Sequence, residues 1–182
     1  MEIHMPAHIR RIAALAVACA AAMPLASLAQ NDTAKALADF VECKLSAEQV
    51  AQFNQKLDAE EFAGFAQSDD GGSAALMLWK SAQPVSAWGE RSAYINFPSR
   101  KEMHLAFKVP EGQEIKVGEA LAARIGGMKP RPDLEAMKET YDWKGMDSRK
   151  PLGADKTVRV LVDVSYAPGW VTVGCGYGDA IQ

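Results

Sequence analysis

Residues 157–177 read TVRVLVDVSYAPGWVTVGCGY, and this stretch decides the fold. Val158, Val160, Val162 and Val164 alternate with Arg159, Leu161, Asp163 and Ser165, the period of a strand with one face turned to a core. Ala167-Pro168-Gly169 supplies a turn, after which Val171, Val173, Cys175 and Tyr177 resume the alternation. Cys175 therefore shares the inward face with the valines. Gly174 and Gly176 fall on the opposite face, where a missing side chain leaves room for another backbone or a partner to approach.

The same alternation recurs upstream. Met103, Leu105, Phe107 and Val109 alternate with His104, Ala106 and Lys108, and Pro110-Glu111-Gly112 ends that strand. Shorter apolar segments at 76–80, 85–88 and 93–97 are separated by Ala82-Gln83-Pro84 and by Gly89-Glu90-Arg91, which reads as an antiparallel meander. Helices punctuate it. Leu37, Phe40 and Val41 stand at helical spacing before Cys43, and Ser46-Ala47-Glu48-Gln49 is a capping box opening a helix over 47–57 that buries Val50, Phe53 and Leu57. Ala120, Leu121, Arg124 and Ile125 predict a helix over 117–125 stopped by Gly126-Gly127, and Pro132 opens a short helix through Met137. Residues 142–156, rich in charge, Gly and Pro, read as a loop, with a strand at Trp143 as the alternative for its start. The expected fold is α+β, an antiparallel sheet of six or seven strands with two or three helices packed on one face. Trp79-Lys80 and Trp143-Lys144 are the one hint of an internal repeat.

The amino terminus fixes where this domain works. Arg10 and Arg11 precede an unbroken apolar run from Ile12 to Ala22, Met23-Pro24 is a helix breaker, and Ser27-Leu28-Ala29 is a small-x-small cleavage site. Residues 1–29 are thus expected to be a cleaved secretory signal peptide and residues 30–182 a single domain, periplasmic or secreted. Cys19 leaves with the leader. The remaining pair, Cys43 and Cys175, is expected to form a disulfide, because only one intramolecular pairing exists in an oxidising compartment. No other apolar run is long enough to span a bilayer.

Removing Arg10, Arg11 and Glu2 from 20 basic and 23 acidic side chains leaves a weakly acidic domain. That balance argues against nucleic acid as a partner, since phosphate neutralisation needs a basic face. Catalytic chemistry is poorly supplied. His104, the one histidine past the leader, is expected on the outward, solvated face of its strand without an orienting partner. One imidazole with two bridged cysteines makes no zinc site, and no cofactor or metal motif is present. Gly174 to Gly178 is not followed by the helix that a nucleophile elbow or dinucleotide loop requires.

Aromatic residues at strand ends carry the remaining signal. Trp88 beside Gly89 and Trp170 beside Gly169, with Arg91 and Arg100 nearby, are the candidate binding residues, because Trp and Arg anchor interface hot spots. The sequence thus points to a small exported protein acting through a surface on a protein partner in the cell envelope, such as an inhibitor or immunity protein of an envelope-acting enzyme. Two alternatives predict different cavities. A carrier of a small apolar ligand needs a large apolar cavity, and a carboxylate-based hydrolase needs a cleft holding two acids, one with a raised pKa.

Overall fold

A computed structural model describes residues 12–70 and 75–181, with side chains from Ser27 onward; residues 1–11, which carry the Arg10-Arg11 region, lie outside it. Among the described residues, four helices and eight strands follow in the order α1 (Ile12–Val41), α2 (Ala47–Asp58), β1 (Phe65–Gln67), β2 (Leu78–Ala87), β3 (Glu90–Ser99), β4 (Glu102–Lys108), α3 (Glu114–Ile125), β5 (Lys129–Pro130), α4 (Leu134–Tyr141), β6 (Gly145–Pro151), β7 (Lys156–Asp163) and β8 (Trp170–Tyr177). All eight strands form one antiparallel sheet in the order β1-β2-β3-β4-β8-β7-β6-β5. Two four-stranded meanders thus meet along β4 and β8. Trp79-Lys80 and Trp143-Lys144 fall at the start of β2 and just before β6, which occupy matching places in the two meanders.

Burial follows the alternation. Met103 and Leu105 of β4, Val171, Val173 and Cys175 of β8, and Val158, Val160 and Val162 of β7 form one buried face with Ile95 of β3. Leu37, Phe40 and Val41 of α1, Val50 and Phe53 of α2, and Leu121 and Ala122 of α3 close over it, so the helices cover one face as expected. The capping box holds: Ser46 Oγ accepts from the Gln49 N–H, and Gln49 Oε1 accepts from the Ser46 N–H. Cys43 and Cys175 are bridged, with Cα atoms 5.3 Å apart, tying the end of α1 to β8 in the centre of the sheet.

Four features differ from the sequence expectation. The sheet has eight strands because β1 and β5, of three and two residues, are too short to show a period. The segments at 76–80 and 85–88 belong to one strand, β2, whose pairing with β3 slips between Lys80 and Val85; Pro84 has no N–H for the ladder, and a bulge absorbs it. Residues 145–151 form β6 rather than a loop, and their charges turn out to have buried partners. Helix α1 continues through Met23-Pro24, within an Ala- and Leu-rich run of high helix propensity.

Candidate functional site

The structure scatters the four residues singled out by sequence. Trp88 and Gly89 form the two-residue β2–β3 turn with φ of +55° and +80°. The Trp88 indole turns inward, donating to Val41 O at 2.9 Å, while its backbone N–H donates to Glu42 Oε1 at 3.0 Å. Trp88 thus pins the hairpin to the end of α1. Arg91 is exposed on β3, opposite Ser86. Trp170 is buried on the other face of the sheet, edge-on to Tyr94 at 5.4 Å, with the Lys108 ammonium 5.2 Å from its ring centre. Arg100 lies at the far end of the sheet in the β3–β4 turn and pairs with Asp58 of α2 at 2.6 Å. Trp88 and Arg91 share one hairpin, while Arg100 at the opposite sheet end and the buried Trp170 lie apart from them.

Where the sequence reading expects solvent, the face opposite the helices carries a buried charge network. His104 does point away from the helices, yet it is fully buried. Its Nε2 lies 3.0 Å from Glu102 Oε1, outside good hydrogen-bond geometry, and its Nδ1 has no partner among the described residues. Arg159 donates to Glu102 at 3.1 Å and, through Nε and a terminal nitrogen, to both oxygens of Asp147 at 3.0 and 2.9 Å. Asp147 also accepts from Arg149 at 2.8 Å, and Arg131, itself paired with Asp133, approaches it at 3.9 Å. Between His104 and Arg159 in the ladder stands Gly174. A Cβ there would overlap the His104 ring and the Met103 carbonyl, and one on Gly176 would overlap Ile181. The room left by these glycines is filled by the chain's own His104 and its carboxyl-terminal segment.

Burial pushes the Asp147 carboxyl up, but hydrogen bonds from Arg149 and Arg159 outweigh that and hold it below its usual value. Burial likewise pushes Glu102 up, and His104 and Arg159 bring it below the ordinary range. Both are therefore anions bound to cations, poor proton donors near neutral pH. Asp163 goes the other way, raised mainly by burial, but it accepts the Tyr166 N–H at 3.1 Å and closes the β7–β8 turn. A general base must reach its substrate, and His104 is sealed from solvent. This network fits a structural role.

An open site lies at the β1 edge of the sheet, on the side of the helices. A cleft of about 560 Å³ separates the end of α2 from β1 and β2, with Leu57, Phe62, Phe65 and Trp79 as its apolar lining and Asp58, Glu60 and Gln67 as its polar lining. That volume suits a small organic group or a side chain. Its floor is braced by aromatic packing: Phe65 lies 5.1 Å from Trp79 and Trp79 6.0 Å from Phe97, while Phe62 packs tilted against Phe53 at 4.6 Å and Phe53 against Phe40 at 5.0 Å. Among the described residues, no Lys or Arg lines it. On the opposite face of β1 and β2 lies a second hollow, about 400 Å³, bordered by Ala66, Ser68 and Lys80. Phe62 and Phe65 fall in a stretch without a readable period, and Trp79 belongs to the apolar segment at 76–80, so no sequence pattern joins the three.

No protein-family model, curated protein or solved structure matches the chain. No helix among the described residues is long and apolar enough to cross a membrane, and none of their His, Cys, Asp and Glu side chains gather in threes to hold a metal ion.

Proposed function

We propose that the chain is an exported protein whose domain, residues 30–182, acts in the periplasm or beyond by holding a group of a protein partner in the cleft beside β1, as an inhibitor or immunity protein of an envelope-acting enzyme would. The cleft carries this reading. It is open and aromatic-floored, with Glu60 in its lining beside the Asp58–Arg100 pair, whereas the one imidazole of the domain is closed to any substrate. Export is supported by the leader pattern, by the Cys43–Cys175 bridge, and by the exposure of Ser27, Leu28 and Ala29 just before α1 begins to bury side chains at Thr33. Clipping after Ala29 would remove the Thr33 Oγ1–Ala29 O bond together with the helical backbone bonds that residues 30–33 make across the cut.

The alternatives receive less support. A hydrolase built on two carboxylates needs one kept protonated, and the paired acids here, Glu102 and Asp147, are both held as anions by Arg159. A carrier of an apolar ligand would enclose it, and the cleft stands open with Asp58 and Glu60 among its lining residues.

The test is affinity capture from native envelope with the exported protein and two cleft variants, Phe62→Ala and Glu60→Lys. The reading predicts one partner retained by the parent and lost by both variants, with Tm of Glu60→Lys unchanged. Equal retention by all three proteins contradicts it.

A further inference from the structure

We infer that β1 is a docking edge for an extended, basic segment of the partner, which adds to the sheet as a ninth strand and places a Lys or Arg side chain in the cleft; this rests on the reading above and names its occupant. The first observation is the edge itself. β1 ends the strand order, with Ala66 paired to Lys80, Gly64 O accepting from Ala82 and Ser68 N–H donating to Leu78. Even-numbered residues therefore spend their main-chain groups on β2, and odd-numbered ones point theirs outward. The Phe65 N–H returns to Phe62 O at 3.2 Å, and among the described residues no hydrogen bond reaches the outward N–H and C=O of Gln67. Such groups template another strand.

Beside this edge, both faces of β1 are hollow, the cleft on the helix side and the smaller hollow on the other. Side chains of an added strand alternate between faces, so successive residues would enter the two cavities. Charge then selects the occupant. Glu60 and Glu61 precede β1 and Asp69 follows it, outside the Asp58–Arg100 and Asp70–Lys80 pairs, and an aromatic floor beside carboxylates attracts a cation carried on an apolar stem. A second copy of this chain is disfavoured, because pairing β1 with β1 brings acidic flanks together.

The experiment uses exported, processed protein labelled with nitrogen-15 and two synthetic peptides, TVTRTVT and TVTETVT, followed by amide shifts and hydrogen exchange. The arginine peptide is expected to shift the Gln67 amide and the Trp79 indole, to slow Gln67 exchange, and to bind at least about tenfold tighter than the glutamate peptide. Glu60→Lys should weaken it by about tenfold. Gln67→Pro, which removes the outward N–H at an edge position that tolerates proline, should abolish peptide binding while leaving benzylammonium able to shift Trp79. Equal binding of the two peptides, or shifts away from β1, overturns the inference. Envelope capture that depends on Phe62, together with peptides that never touch β1, also overturns it, and leaves the binding role of the cleft standing.

Discussion

Gly174 and His104 are partners across the β4–β8 ladder, and the imidazole lies where a Gly174 side chain would have to go. The glycine is therefore the condition for burying the histidine. Gly174→Ala should cost about 1–3 kcal/mol by overpacking, read as a lower urea midpoint. His104→Ala should not restore it, because the Met103 carbonyl crowds the same Cβ.

Asp147 is the anion that holds two guanidinium groups on the sheet, those of Arg149 and Arg159. Asp147→Asn removes the charge facing both guanidinium groups in a site where the aspartate is 2% exposed, and breaking a buried pair costs about 3–5 kcal/mol. Chemical denaturation at neutral pH checks this. Loss of under about 1 kcal/mol would place the pair in the class of surface ion pairs.

The same network sets the response to acid. Asp147 and Glu102 have folded pKa values below the usual 3.8 and 4.5, so the folded state binds fewer protons than the unfolded one. Their stabilisation is complete above the unfolded values and is lost as pH falls through the folded ones. Unfolding midpoints should be flat from neutral pH to about 5 and then drop, and Asp147→Asn should show a shallower drop than the parent. Identical acid limbs would remove the network from the account.

Cys43 and Cys175 are 132 residues apart in sequence. Closing so long a loop restricts the unfolded chain, and losing the bridge should cost about 2–5 kcal/mol. Cys43→Ala/Cys175→Ala and dithiothreitol-treated parent should melt at similar, lowered temperatures. An unchanged melting temperature on reduction would contradict this.

Much of the fold is legible because its strands bury valine, leucine and cysteine on alternate positions, as in β4, β7 and β8, and because Ser46 and Gln49 mark a helix start by chemistry alone. β6 is hidden for the opposite reason. Asp147 and Arg149 alternate correctly toward a buried face, but that face is charged, and a hydrophobic period cannot register it. Trp88 and Trp170 illustrate a related limit: a tryptophan beside a turn glycine has the same sequence signature whether it emerges or folds back. The cleft escapes notice because Phe62, Phe65 and Trp79 come from separate elements and converge only when β1 pairs with β2.

The most direct test of the binding role is photo-crosslinking in the native envelope, with benzoylphenylalanine replacing Phe62 in the cleft or, as control, Tyr141 on the exposed end of α4. The account predicts one discrete protein adduct from position 62 and none from 141. No adduct from position 62, or the same adducts from both positions, would contradict it.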